Sequence, residues 1–317
     1  MDYSVAIGIH THTPYFKNLV IFVVMVMIAT LAIEAILVSA TKLSEEYLFL
    51  GIAVPVGLAF LMFVSINEVH DGGTHLAKVY HYSNVLLGQS SDDVPGYVRL
   101  KTDEAQAFNE IYEEKFLENK AADNHWNFIK HFWDKDDTEK WELSHNYRET
   151  GASSFLEYFP GVLGMTIGRI VGGSARFNIL ITKVFFFLFY VGMVFFAIRI
   201  TPCFKTVIAF TALLPMGMYQ ATGITYDSIV MAVSLVIIAL FFKARSAGLH
   251  RREIITLFAL SLILGCCKGG VYLLFLLLFF TIPFSKFGSK KVKYKICMGS
   301  LGTGIIGLVL TSRNNYL

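Results

Sequence analysis

The sequence predicts an all-α polytopic membrane protein, on three observations. Apolar residues make up 55% of the 317 and charged residues only 16%, with a mean hydropathy of +0.56, whereas a soluble domain carries about a quarter charged residues. The apolar residues gather in runs near the roughly 20 residues that one helical crossing requires, beginning with 19–40 and 47–66. Basic residues stand in short clusters between the later runs, at Arg199 and Lys205, at 243–252 and at 286–295. That distribution reports which connections face the cytoplasm. A formal charge of +3 is then a topology signal, and it gives no reason to expect a nucleic-acid partner.

Taken in order, residues 1–17 lack the basic start and small-residue cleavage site of a secretory signal, so this lead is expected to be retained. The first run contains Glu34, a carboxyl either facing a neighbouring helix or contacting a site. The second run delivers His70-Asp71-Gly72-Gly73-Thr74-His75-Leu76-Ala77-Lys78-Val79-Tyr80 almost without a linker. An ionisable cluster at the end of a spanning segment is expensive to hold there, which makes it the first candidate for a functional site. The glycine pair is expected to release the backbone from helical geometry, letting Asp71 and His75 turn back toward the membrane.

Residues 89–154 change character, carrying most of the acidic side chains and all three Trp, and are too long for a structureless loop. Apolar spacing over 103–121 predicts a helix and hence a small helical cap. Residues 155–173 are apolar but broken by Glu157, Pro160, Arg169 and small residues, which makes a poor span and a better juxtamembrane helix in the interface. With the basic clusters cytoplasmic, 178–198 runs inward, 206–223 outward, 227–242 inward, 253–265 outward, 271–284 inward and 296–310 outward. The chain thus divides into N-terminal spans (1–66), an extracytoplasmic catalytic loop, cap and juxtamembrane helix (67–177), and a membrane bundle (178–317), in a multi-pass protein of the cell membrane. Small residues at near-regular intervals over 299–307 predict close helix packing. The four cysteines, beside apolar runs and without a ligand or redox spacing, are expected to be small apolar fillers.

On this topology several polar residues share the outer side: Asp71, His75 and Lys78 after the second span, Tyr158 and Pro160 on the juxtamembrane helix, and Arg176 at its end. Gln220, Tyr226 and Asp227 join them from one turn, and Lys268 from Cys-Cys-Lys268-Gly-Gly. His70, Asp71, His75 and His81 offer metal-ligand types, but their spacing does not match a compact zinc pattern, so no cofactor is required and a divalent metal is a secondary use of the loop.

The stretch Leu214-Pro-Met-Gly-Met-Tyr-Gln-Ala-Thr-Gly-Ile-Thr-Tyr-Asp227, followed by an apolar span, a basic loop and Lys268-Gly-Gly-Val-Tyr272 before a leucine-rich run, resembles a bacterial family of predicted multi-pass membrane proteins of unassigned function. That family is similar to the GT-C glycosyltransferases, which use polyprenyl-phosphate sugars. Its first outer loop carries Pro-Asp-Glu-x-x-His-x-x-Arg, and the matching positions here are His70, Asp71, Gly72, His75 and Lys78. Asp71 and His75 agree, Lys78 keeps the charge, and Gly72 lacks the glutamate. Tyr158-Phe-Pro160-Gly and Gly173-Ser-Ala-Arg176-Phe-Asn178 resemble the segment after that loop. Members of the family continue with more spans than remain here, so the chain is expected to be shortened at its C-terminus.

The resemblance implies a GT-C-like bundle that moves a sugar from a polyprenyl-phosphate donor to a cell-envelope polysaccharide or glycolipid acceptor. Such a transfer needs a base for the acceptor hydroxyl, and a carboxylate raised in pKa by partial burial suits it; Asp71 is the candidate. The leaving phosphate needs cations in a dry site, for which Lys268 and Arg176 are candidates, with Lys78 and His75 nearer the loop. Each residue also has a plain structural use. Lys268 would serve as a snorkelling lysine, Arg176 as an interfacial anchor and Asp227 as a helix N-cap. Two other functions stay open: a non-catalytic subunit of a polysaccharide assembly machine, and a transporter or flippase of lipid-linked sugars.

Overall fold

A computed structural model describes residues 21, 24–25, 28–33, 35–36, 39, 43–63, 71–89, 98–101, 141–144 and 154–313. Glu34, His70 and the helix expected over 103–121 lie outside these residues. The described chain is built of α-helices: α1 (Glu45–Phe63), α2 (Gly72–Leu86), α3 (Phe155–Ile170), α4 (Ala175–Ile200), α5 (Lys205–Ala212), α6 (Pro215–Thr222), α7 (Asp227–Ala247), α8 (Arg251–Cys266) and α9 (Lys290–Arg313). A 3-10 helix, Lys268–Thr281, lies between α8 and α9. Among the described residues four helices are long and apolar enough to cross a membrane, in α1, α4, α7 and α9. The protein is an all-α polytopic membrane protein. The stretch between α2 and α3 adds one feature that the sequence did not announce, an antiparallel pair of β1 (Val98–Lys101) and β2 (Trp141–Ser144), in register from Val98 with Ser144 to Lys101 with Trp141.

The run 206–223, expected as one span, is two eight-residue helices parted at Leu213 and Leu214. Pro215 causes the break: it has no N–H to donate, and its ring opposes helix in the residue before it, so it starts α6 instead of continuing α5. The run 271–284 lies in the 3-10 segment Lys268–Thr281, broken by non-helical Gly269 and Gly270, and it returns the chain from the Lys268 end to the basic end, where Phe279 meets Phe241. α4 starts at Ala175 because the Ser174 hydroxyl accepts the Phe177 N–H at 3.1 Å and caps it.

Side-chain pairs fix how the helices run. Tyr47 meets Phe195 edge-on at 5.5 Å between centroids and Lys183 Nζ donates to the Leu61 carbonyl at 3.4 Å, so α1 and α4 are antiparallel. The small residues that interrupt 155–173 have a structural purpose. A Cβ at Gly161 would strike the Phe186 ring, one at Gly164 would stand 2.8 Å from the Ile181 carbonyl oxygen, and one at Gly168 would stand 2.5 Å from Asn178 Oδ1. These glycines let α3 lie directly on α4, also antiparallel. The expected small-residue seam is present on α9, where Gly304 and Gly307 approach α8 so closely that a Cβ on Gly265 would lie 1.9 Å from the Gly304 carbonyl oxygen.

The basic clusters share one end of the bundle. Lys205 pairs with Glu46, the Phe204 ring lies on Phe242, Lys243 pairs with Glu253 at 2.5 Å, and Lys286 Nζ donates to the Ser246 carbonyl at 2.7 Å. Asp227, at the start of α7, and Lys268, after the end of α8, mark the opposite end. Cys266, Cys267 and Cys297 are buried as fillers, whereas Cys203, expected to be one, is exposed beside the basic end.

Candidate functional site

Helix α2 begins at a left-handed residue. Asp71 has φ 58, is exposed, makes no side-chain cap, and presents its carbonyl to the His75 N–H at 3.0 Å. The short polar side chain of Asp tolerates this conformation better than most. The break therefore falls on Asp71, and Gly72 and Gly73, expected to be the break, are the buried first residues of the helix. The partial burial expected of the Asp71 carboxylate is absent too.

Helices α2 and α3 run side by side in the same direction. His75 Nδ1 lies 2.8 Å from Tyr158 Oη at their first turns. Further along, Thr166 donates to Ser83 at 3.1 Å, and Arg169 donates to Ser83 at 2.8 Å and to Gln89 while its guanidinium lies 4.2 Å over the Tyr80 ring. The N-termini of α2 and α3 are thus neighbours. Tyr226, just before α7, closes the cluster, its ring 5.0 Å from His75 and 6.0 Å from Tyr158.

A lysine and a glutamate are buried here beside His75 and Tyr158. Lys78 is 5% exposed and Glu157 3% exposed. Burial lowers the proton affinity of Lys78, partly offset by the charges of Glu157 and Asp71. Burial pushes Glu157 up to about 7, against the pull of the Ser154 backbone N–H and of Lys78. The Glu157 carboxylate also acts on Tyr158, Tyr226, Cys266 and Cys267, so it stands where α2, α3, the start of α7 and the end of α8 meet. Glu157 was seen in the sequence only as an interruption. The available signal was Ser154-Phe-Leu-Glu157, the Ser-x-x-Glu pattern of a capping box, in which the Ser154 hydroxyl accepts the Leu156 N–H at 3.2 Å.

Lys268 and Asp227 form an ion pair at 2.7 Å, and the Lys268 ammonium stands 5.5 Å over the Tyr226 ring. The turn that carries it has positive φ at Lys268 (45), Gly269 (60) and Gly270 (74), and the Gly270 N–H returns to the Cys267 carbonyl at 2.9 Å. A lysine in that region costs about 1 kcal/mol, and glycine at the next position meets the demand of a hairpin-like reversal. The reversal sends the chain back from α8.

Of the candidates, Asp71, His75, Lys78, Tyr158, Asp227 and Lys268 come together at one end. Arg176 does not. Phe159 packs on Phe189, whereas Arg176 lies at the start of α4, about 20 Å further along at 1.5 Å per residue. Gln220 is on α6 with its side-chain Oε1 buried and without a hydrogen-bond partner among the described residues, and no such bond ties it to the cluster. Among the described residues no three His, Cys, Asp or Glu side chains gather as a metal site.

Comparison with known proteins gives one assignment. No match was found among curated proteins or among solved structures. A family model described as "Predicted membrane protein (DUF2142)" matches residues 54–316, which takes in every element of the cluster. The chain belongs to this family of predicted membrane proteins, DUF2142.

Proposed function

We propose that this chain is a membrane glycosyltransferase of the GT-C type, moving a sugar from a polyprenyl-phosphate donor to a cell-envelope polysaccharide or glycolipid acceptor at the outer face of the cell membrane. One observation carries the reading. Acid, base and cationic side chains from four separate stretches meet at the end of the bundle opposite the basic clusters, and the basic end is the cytoplasmic one by charge distribution. In the transfer the acceptor oxygen forms a bond to the anomeric carbon as the bond from that carbon to the phosphate oxygen breaks, and the electron pair leaves with the phosphate. Asp71, exposed at the mouth, takes the acceptor proton. Lys78 and Lys268 meet the negative charge that develops on the phosphate, and His75 and Tyr158 shape the wall between them. Asp227 holds Lys268 until a phosphate competes for it.

The experiment is transfer by the full chain in proteoliposomes, supplied with a radiolabelled polyprenyl-phosphate sugar and envelope glycolipid extract. Labelled product appearing with release of polyprenyl phosphate is the expected result, and no transfer from any such donor overturns the reading. A non-catalytic assembly subunit is the second reading. It is favoured by Gly72, where the related loop has a glutamate, and by the mutual neutralisation of Lys268 and Asp227.

A further inference from the structure

We propose that the turn between α7 and α8, together with the start of α9, is a docking surface for anionic phospholipids of the cytoplasmic leaflet. The surface lies at the end of the bundle opposite the candidate site and does not depend on the transferase reading. Residues 243–252 hold four Lys or Arg and residues 286–295 hold five, whereas Glu253 is the only Asp or Glu between Asp227 and Leu317. The fold brings the two stretches together. Lys286 Nζ donates to the Ser246 carbonyl at 2.7 Å, and a Cβ on Gly248 would strike the Lys286 carbonyl oxygen. The one carboxylate is already held by Lys243 at 2.5 Å. Lys286 and Lys293 donate to neutral carbonyls, of Ser246 and of Phe280, so their charges stay uncompensated. Arg245, Arg251, Arg252, Lys291 and Lys295 are exposed and make no ion pair among the described residues.

A topology signal alone does not require this imbalance. Arg199 and Lys205 belong to the same end, but there Glu45 and Glu46 of α1 accompany them: Lys205 lies 3.9 Å from Glu46, and Thr206 donates to Glu45 at 3.2 Å. Charges balance on that side and not on the side of α9. The start of α9 is also unfavourable to its own lysines. Four of them fall in its first six residues and no acid stands in its first turn, although the amide end of a helix carries a partial positive charge that disfavours cations. Anions from outside the chain relieve both repulsions. Aromatic side chains decide which anions. Phe284 (51% exposed) and Tyr294 (56% exposed) stand among the lysines, and the Lys290 ammonium lies 5.4 Å over the Phe284 ring. Rings of this kind settle at headgroup level while neighbouring lysines reach the phosphates, and basic clusters beside a span attract anionic headgroups. An acidic protein segment would use the charges and leave the rings without a purpose.

The test uses the full chain purified in a neutral detergent, where orientation across a membrane no longer matters. It is incubated with equal amounts of phosphatidylglycerol and phosphatidylcholine, and the lipids it retains are counted by native mass spectrometry. Phosphatidylglycerol should be retained in preference, and added salt should erode the preference. Lys290→Gln/Lys291→Gln/Lys295→Gln should lower the preference by roughly fivefold per charge removed, the scale of one basic side chain at an anionic surface. Arg245→Gln/Arg251→Gln/Arg252→Gln reads the same patch from its other half and should show the same loss. Arginine at positions 290, 291 and 295 should keep the preference, so an effect of shape cannot imitate the result, and circular dichroism checks that each variant is folded. Arg199→Gln/Lys205→Gln, which removes cations that carboxylates already balance, should change nothing. Equal retention of the two lipids by the parent protein, an undiminished preference in both glutamine triple variants, or an equal loss in Arg199→Gln/Lys205→Gln overturns the inference. Displacement of phosphatidylglycerol by polyglutamate at equal charge also overturns it, assigning the patch to an acidic protein segment.

Discussion

His75 and Tyr158 join the first turns of two parallel helices through a buried contact of 2.8 Å between Nδ1 and the phenol oxygen. Tyr158→Phe keeps the ring packing on Tyr226 and deletes only the hydroxyl, leaving a buried imidazole nitrogen without its partner. The expected cost is about 1–3 kcal/mol, read as a lower unfolding midpoint in detergent. An unchanged midpoint would mean that the contact does not hold α2 on α3.

Glu157 should make stability depend on pH. Its proton affinity is raised in the folded protein to about 7 from an ordinary 4.5, so the folded state holds a proton that the unfolded state has released. That contribution is fully present below about 4.5 and is lost as pH rises through about 7, on the order of 3 kcal/mol in all. Lys78 has the opposite sense: its lowered affinity makes the folded state give up a proton earlier, so stability rises with pH below 10.5. Unfolding midpoints of the parent and of Glu157→Gln across pH 4.5–8 check this, and the variant should lose the decline.

Lys268 lies on a strained exposed turn and is held by Asp227 at 2.7 Å. If it also meets the donor phosphate, Lys268→Met should weaken donor use by about ten- to hundredfold, the scale of one charge-assisted contact, with the protein still folded in the membrane. Donor titration in the transfer assay measures this. An unchanged donor dependence returns Lys268 to the role of a lysine at a helix end.

The side of the membrane can be read by labelling. In a background lacking the exposed Cys203, cysteine placed at Gly269 beside the site should react with an impermeant maleimide in intact cells, and cysteine at Ala247 at the basic end should not. The reverse pattern would put the site in the cytoplasm.

The membrane class was legible because it rests on summed hydropathy and on the placement of charges, which tertiary packing does not change. Near neighbours in sequence, such as Asp71, His75 and Lys78, were legible as one group for the same reason. The glycines of α3 were seen as flaws in a span, since their purpose is contact with Ile181 and Phe186 on another helix, which no local pattern records. Arg176 was grouped with the site because topology assigns a side but no depth along a helix. Glu157 was missed because a capping-box glutamate and a buried acid have the same sequence signature, and only the meeting of α2, α7 and α8 around it tells them apart.

The most direct test of the transferase account is Asp71→Asn in the reconstituted assay. Asparagine has nearly the same size and still accepts a hydrogen bond from the acceptor, but it cannot take the proton at neutral pH. The account predicts a loss of about 10²- to 10⁴-fold in transfer rate with donor binding kept. Full transfer by the Asp71→Asn protein would contradict it.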